Sequence, residues 1–232
     1  GMKKGLCVLA AVVGLSFVSV AGATVVYFPD KNLEAAVRGA LGKPTGNITD
    51  EDMGRLTKLD AELRRIQNIS GIEHATGLKE LNLRYNKFSD ISPLAGLTSL
   101  ESLDLQSNKI SRISSLAGLT SLTYLRLDTN QISDISPLAG LTSLTKLDLS
   151  YNQISDISAL VANSKAGGIG PRPDKYGLKD EVWLGHNFLD ISQRSKAMAD
   201  IQTLISSGAR VRYEPQNAGP APVKEEAGVI VP

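Results

Sequence analysis

The sequence predicts an α/β fold of a particular kind, a stacked solenoid with a parallel β-sheet along one side. The string LxxLxLxxN recurs at intervals of 22 residues and ends in an asparagine each time, at Asn86, Asn108, Asn130 and Asn152. Within each copy, apolar and polar residues alternate as in a strand with one buried face. A repeat this short cannot enclose a core of its own, so each copy must bury its leucines against its neighbours.

The alternation identifies the strand of each copy. Leu81 and Leu83 alternate with Glu80, Asn82 and Arg84, and the next three copies repeat the pattern. We expect the recurrent asparagine to bond to the backbone where the chain leaves the strand, because its amide offers two donors and an acceptor. An unbonded polar group buried at that bend would cost about 1 to 3 kcal/mol. The asparagines are therefore predicted to be structural.

The second half of each copy is clearest at residues 132–143, which read ISDISPLAGLTS. Its apolar residues recur every third position, which indicates a short 3₁₀-like segment, at Ile135, Leu138 and Leu141. Ser136 is predicted to cap this segment, and Pro137 suits its first position because no amide hydrogen is needed there. A narrow back opposite a strand-lined front curves the stack, so the strand face is expected to be concave and the turn face convex.

These repeats resemble leucine-rich repeat proteins of the 22-residue, internalin-like type found on bacterial surfaces. The resemblance is strongest over residues 56–161, and the repeats are expected to cover residues 56–191. A degenerate first copy of the repeat carries Arg64 where the asparagine is expected, as is typical of a terminal repeat. The resemblance implies a horseshoe with a parallel sheet on the concave face, 3₁₀-type convex segments and a helical N-terminal cap. It also implies a secreted or surface-exposed protein that binds another protein.

Both ends of the stack need closure, because an open coil would expose leucines to water. Residues 24–55 are predicted to form the N-terminal cap. There Asp30 caps a helix that stops at Gly42, and Thr49 with Asp52 starts a second one. The first helix is expected to present one apolar face made of Leu33, Ala36, Val37, Ala40 and Leu41.

At the rear, residues 192–213 are predicted to form a capping helix and a closing strand. Ser192 is expected to open the helix and Gly208 to end it, and Val211 and Tyr213 supply the strand. The inward face of the helix is predicted to carry Ala197, Met198, Ile201, Leu204 and Ile205. Glycines and prolines mark residues 166–177 as an inserted loop, and proline among small and charged residues predicts a disordered tail over residues 214–232.

Residues 1–23 have the form of a secretory signal peptide. Lys3 and Lys4 precede an apolar run, and a small-x-small cleavage sequence ends at Ala23. Gly1, ahead of Met2, is interpreted as a remnant of protein production. The single cysteine, Cys7, lies in this segment, so the mature chain is expected to contain no disulfide and no thiol nucleophile. We therefore expect a secreted or cell-surface protein.

Composition and residue placement disfavour several classes of function. Without Lys3 and Lys4 the chain has 23 basic residues, 25 less two, against 24 acidic ones, so it lacks the basic field that nucleic-acid binders need. His74 and His186 have no further group placed beside them by the repeat to make a general base or a metal ligand. We therefore expect no catalytic residue, metal, cofactor or small-molecule substrate, and no nucleic-acid partner.

The concave face is the expected functional surface, because stacking does not dictate its side chains. Arginine and aromatic side chains tend to anchor protein interfaces, and Trp183 is predicted to face outward if the register counted back from Asn187 is right. We predict that a partner protein, from a host cell or the bacterial envelope, binds a monomer here. The alternative is a rigid spacer with no tight ligand. The predicted binding residues are Glu80, Asn82, Arg84, Asp104, Tyr124, Arg126, Asp128, Lys146, Asp148 and Trp183.

Overall fold

The computed structural model describes residues 23–170 and 179–218. These residues form an open, seven-stranded parallel sheet in which the strands follow one another in chain order. The strands are β1 (Lys58–Asp60), β2 (Glu80–Asn82), β3 (Ser102–Asp104), β4 (Tyr124–Arg126), β5 (Lys146–Asp148), β6 (Glu181–Trp183) and β7 (Arg210–Arg212). The predicted α/β leucine-rich repeat solenoid is confirmed. Residues 1–22, 171–178 and 219–232 lie outside the described residues, and with them most of the predicted signal peptide, inserted loop and tail.

The 22-residue period sets the register of the sheet. Equivalent apolar residues of successive coils pair directly and form one row, Leu59, Leu81, Leu103, Leu125, Leu147, Val182 and Val211. All of these except Val211 are buried, whereas the residues on either side face the concave surface. Burying one leucine completely contributes about 1.5 to 3 kcal/mol, so the stacked coils share one continuous core. Val211 is half-buried because no described strand follows β7.

The convex side consists of short 3₁₀ segments followed by one helix. The segments span Ile72–His74, Ser92–Leu94, Ser114–Leu116 and Ser136–Gly140, and the fifth coil has the α-helix α3, Ser158–Lys165. The expected cap at Ser136 is wrong, because Ser136 is the first residue of its segment and the N-cap residue, Ile135, makes no side-chain cap bond. Instead the Asp134 carboxylate accepts a 3.0 Å hydrogen bond from the Ser136 N–H. Asp90 and Asp156 do the same two residues before Ser92 and Ser158.

The predicted asparagines form a ladder of buried amides along the stack. Asn130 Nδ2 donates to the carbonyls of Leu105 and Leu127, both at 3.0 Å, and its Oδ1 accepts from the Ile110 N–H at 3.0 Å. Equivalent donor bonds are made by Asn86, Asn108, Asn152 and Asn187. The ladder therefore joins each coil to the preceding one at the point where the chain leaves the sheet.

Gln216 adds a further rung that lies within the predicted tail. Its Nε2 donates to the Leu184 carbonyl at 3.0 Å, and its Oε1 accepts from the Leu189 N–H at 3.2 Å. The Asn217 N–H also donates to the Asn187 carbonyl at 2.7 Å. The expectation of a disordered tail from residue 214 is therefore corrected for Pro215, Gln216 and Asn217, which are bonded to the preceding coil.

Two helices, α1 (Lys31–Leu41) and α2 (Asp50–Gly54), lie before β1. Asp30 caps α1 by accepting from the Asn32 and Leu33 N–H groups, and its second oxygen accepts from the Gln67 N–H at 2.7 Å. One carboxylate thus ties the cap to the first coil. Burial of Asp30 raises its pKa, but the backbone donors outweigh this effect and the net pKa is lowered. Gly42 ends α1 with a φ of 62°. The inward placement of Ala40 is wrong, because Ala40 is exposed and Leu41 is only half-buried.

The second cap helix begins with a reciprocal capping box. Thr49 accepts from the Asp52 N–H, and the Asp52 carboxylate accepts from the Thr49 N–H. Lys43 Nζ also lies 2.6 Å from Asp52 Oδ2. The hydrogen bond from Lys43, and then that from the Thr49 N–H, lowers the pKa of Asp52 to about 2. This start of α2 is therefore stabilised by an ionised carboxylate.

The C-terminal helix α4 is Lys196–Ser206 and begins later than predicted. Its cap is Ser195, whose hydroxyl accepts from the Met198 N–H at 3.1 Å, whereas the N–H of Ser192 donates to Asp190. Ala197, Ile201 and Leu204 are buried as expected, but Ile205 is 40% exposed and Met198 is half-buried. Among the helices that the structure describes, none is long and apolar enough to cross a bilayer.

Candidate functional site

The concave face carries every residue of the predicted binding set, but these residues differ in exposure. Glu80 and Lys146 are exposed, and one member, Asp128, is buried at 5%. The remaining members are half-buried, namely Asn82, Arg84, Asp104, Tyr124, Arg126, Asp148 and Trp183. Asp128 lies in the outward-facing column, as predicted, but it is not available as a contact residue.

The N-terminal half of the face is cross-linked by ion pairs between neighbouring strands. Lys58 Nζ lies 2.6 Å from Glu80 Oε2, and Arg84 Nη2 lies 2.8 Å from Glu62 Oε2. Asn82 Nδ2 donates to Asp60 Oδ1 at 3.1 Å. Exposed pairs of this kind contribute little stability, about 0 to 1 kcal/mol each. These pairs also matter for binding, because a charge that is already paired attracts another molecule less strongly than an unpaired charge does.

Arg126 is the centre of the C-terminal half. Its guanidinium binds Asp128 through two bonds, with Nε at 3.2 Å and Nη2 at 3.3 Å from the two carboxylate oxygens. Asp104 Oδ2 lies 3.7 Å from Nη1. Burial raises the pKa of Asp128, the nearby Asp148 carboxylate raises it further, and Arg126 opposes both. Burial also raises the pKa of Asp104. Arg126 is therefore paired with two carboxylates, one of which, Asp104, also lies near the Arg84 guanidinium.

A depression of about 390 Å³ opens beside Arg126. Tyr124 on β4 and Trp183 on β6 line it, with Lys146 and Asp148 of β5 between them. Asp148 on β5 pairs with Trp183 on β6. This is the register that the outward placement of the indole required. On its other side the indole meets Arg212, whose guanidinium carbon lies 6.0 Å from the ring centroid. The largest aromatic side chain of the face thus borders its C-terminal depression.

The charges around this depression are unequally paired. Glu181 lies 2.9 Å from Arg210, and Arg126 is occupied by Asp104 and Asp128. Asp148 accepts the Ser150 N–H at 3.0 Å and forms no ion pair with any described residue. Lys146 also lies in no ion pair within residues 23–170 and 179–218. Of the charged residues that line the depression, these two form no ion pair with a described residue.

The two histidines lie at separate places on the stack, and His74 borders a depression that is also lined by Asp50 and Glu51. His74 is exposed on the convex side, and the adjacent Glu73 carboxylate accepts the Gly71 N–H at 2.7 Å. His186 stacks on Tyr151, with ring centroids 4.0 Å apart. Within the described part of the chain, no group of three histidine, cysteine, aspartate or glutamate side chains could hold a metal ion.

Sequence reasoning missed an aromatic rim at the edge of the face, formed by Tyr85, Tyr151 and His186. Each precedes a ladder asparagine, and each adopts a left-handed conformation, with φ between 55° and 57°. Non-glycine residues rarely adopt this conformation, and here the turn into the amide ladder imposes it. Tyr85 and Tyr151 are 43% and 54% exposed. The sequence could have revealed this rim, because each of its aromatic residues stands immediately before a recurrent asparagine.

The repeated coils and their open parallel sheet define a leucine-rich repeat protein. The family description "Leucine rich repeat" matches residues 54–110, and "Leucine Rich repeats (2 copies)" matches residues 98–140 and 120–162. Internalin C2 from Listeria monocytogenes is 31% identical, with a TM-score of 0.55, over 80% of this chain and 85% of that protein. The chain belongs to the internalin-like leucine-rich repeat family.

Two further internalins from Listeria monocytogenes share the architecture. InlF has a TM-score of 0.62 at 24% identity, over 85% of this chain and 67% of that one. The functional domain of InlJ has a TM-score of 0.55 at 26% identity, and the match covers 75% of this chain and 42% of that one. That domain includes a cysteine ladder, whereas the described residues here contain no cysteine and carry a ladder of amides. A comparison with curated protein sequences finds no match.

Proposed function

We propose that this chain is a secreted or cell-surface module that recognises a partner protein through its concave face as a monomer. Leucine-rich repeat folds of this type typically mediate protein–protein interaction. The observation that carries the proposal is the contrast between the two sides of the coil. The convex side repeats nearly the same residues, whereas the concave columns change from coil to coil and include Tyr124, Arg126 and Trp183.

The chemistry of the face supports recognition of a protein and not catalysis. Tryptophan, tyrosine and arginine dominate the energetics of protein interfaces, because each combines a large contact area with a directional polar group. All three occur within strands β4 to β6, around one depression. Among the described residues, no group of three histidine, cysteine, aspartate or glutamate side chains could hold a metal ion. The signal-peptide pattern predicted for residues 1–23 supports delivery of the module outside the cell.

Site-directed photo-crosslinking tests the proposal. A photoreactive amino acid replaces Ser102, which lies on the concave face beside Tyr124 without bordering the depression, and in a second protein it replaces Ala117. Ala117 is exposed at the end of a convex 3₁₀ segment and serves as the matched control. Both proteins are irradiated with extracts of the bacterial envelope and of candidate host cells.

Recognition through the concave face predicts a discrete protein adduct from position 102 and none from position 117. A rigid spacer predicts that neither position, or both equally, gives adducts. The second outcome would reject the proposed function in favour of a structural role.

A further inference from the structure

We propose that the depression between Tyr124 and Trp183 is the anchor point of the concave face and that it takes one cationic side chain, arginine or lysine, from the partner protein. This inference rests on the proposed recognition function and specifies the chemistry of its site. It is carried by two features of the depression, namely its aromatic walls and its unpaired, half-buried aspartate.

The two walls are suited to a flat or elongated cation. Tyr124 and Trp183 lie on strands that are about 9.6 Å apart, with one other strand between them. Tyr124 is in register with Glu181, so Trp183 lies two residues further along its strand, and the two aromatic side chains border the depression diagonally. The faces of tyrosine and tryptophan rings attract cations through their quadrupoles. Trp183 already holds the Arg212 guanidinium at 6.0 Å from its centroid, which shows that the indole is placed to accept such a contact.

The less exposed of the two unpaired charges in the depression is negative. The charged residues that line it are Arg126, Lys146, Asp148 and Glu181. Arg126 is paired with Asp104 and Asp128, and Glu181 is paired with Arg210. Asp148 is therefore the one lining carboxylate without an ion pair to a described residue, and an entering cation could pair with it, whereas an entering anion could not.

Asp148 is the group that would meet the incoming charge. It is half-buried, borders the depression and has no ion pair among the described residues. Hydrogen bonds between ionised partners are shorter and about twice as strong as neutral ones. Lys146 lies in the same depression but is exposed on a long flexible side chain, so it can turn away from a bound cation.

The single tryptophan of the sequence makes the proposal directly measurable, because Trp183 is the only indole that can report binding by fluorescence. The probes are three blocked pentapeptides with glycine at every position except the centre, which holds arginine, citrulline or glutamate. Citrulline has nearly the shape of arginine without its charge. The full chain is titrated with each peptide, and the site of binding is checked by amide chemical-shift changes.

The Asp148→Asn variant removes the unpaired charge but keeps an oxygen that accepts the Ser150 N–H. Asp90→Asn is the matched control, because Asp90 makes the same bond to the Ser92 N–H on the convex side. We expect the arginine peptide to bind about tenfold tighter than the citrulline peptide, as the lower end of the energy of a charged hydrogen bond gives. Asp148→Asn should remove that preference and Asp90→Asn should keep it.

Equal binding of arginine and citrulline, preferential binding of glutamate, no binding of any peptide, or an unchanged preference in Asp148→Asn would each overturn the cationic anchor. The photo-crosslinking result separates this failure from failure of the recognition function. Adducts from position 102 without an arginine preference would leave concave recognition standing with a different anchor. Absence of adducts would remove the recognition function itself.

Discussion

The amide ladder provides a matched pair of substitutions, Asn130→Ala and Asn108→Ala. Both asparagines are 9% exposed, and each donates to one carbonyl of its own coil and one of the preceding coil. They differ at the side-chain oxygen. Asn130 Oδ1 accepts from the Ile110 N–H, whereas Asn108 Oδ1 is buried without a hydrogen-bond partner. The pair therefore isolates the contribution of a single acceptor.

The magnitude follows from what each substitution leaves behind. The Leu105 carbonyl accepts from both asparagines, at 3.1 Å and 3.0 Å, so it keeps one donor in either variant. The lost donor bonds cost about 1 kcal/mol each in both proteins. Only Asn130→Ala also leaves the Ile110 N–H buried and unbonded, at a cost of about 1 to 3 kcal/mol. Asn108→Ala instead removes an unsatisfied oxygen. We expect Asn130→Ala to be the less stable variant by about 1 to 3 kcal/mol.

Urea denaturation followed by circular dichroism measures this difference, provided that both variants unfold with the same dependence on denaturant. Asn32→Ala, an exposed substitution in α1, sets the baseline and should change stability by less than about 0.5 kcal/mol. Equal destabilisation by Asn108→Ala and Asn130→Ala would refute the reasoning. It would mean that the loss of donor bonds, and not the orphaned backbone group, determines the role of the asparagine.

Three further substitutions test other parts of the molecule. Trp183→Ala should weaken binding of the crosslinked partner by more than about 2 kcal/mol with little change in melting temperature, and the reverse result would place the indole in the core. Gly168→Ala would put a methyl carbon 2.0 Å from Asn163 Oδ1 and should cost about 1 to 3 kcal/mol in thermal unfolding, whereas Gly96→Ala meets no atom within 4 Å and should cost far less. Asp52 has its pKa lowered to about 2 from 3.8, so its stabilisation is present above pH 3.8 and is lost as the pH falls. The difference in melting temperature between the wild type and Asp52→Asn should therefore shrink from pH 4 to pH 2, and a constant difference would contradict the assignment.

The solenoid could be predicted because one period determines both the strand register and the position of the polar bend. The prediction weakened where the period was replaced by local chemistry. Gln216 was missed because a glutamine among prolines does not match the repeat, although its amide reaches the Leu184 carbonyl that an asparagine would have reached. The start of α4 was misplaced for a similar reason. Ser192 and Ser195 are both suitable caps by composition, and only the position of the Met198 N–H selects Ser195.

The candidate site shows a different limit, because alternation along a strand predicts the direction of a side chain and not its exposure. Asp128 points to the concave side, as the pattern required, yet Arg126 covers it with two hydrogen bonds and leaves it 5% exposed. Whether a charge is covered depends on the length and pairing of its cross-strand neighbours, which no period encodes. For recognition, the relevant quantity is thus the charge left over after internal pairing. In β4 to β6 the unpaired charges are those of Asp148 and Lys146. Only Asp148 is half-buried, so an ion pair that it formed with a ligand would be less screened by water.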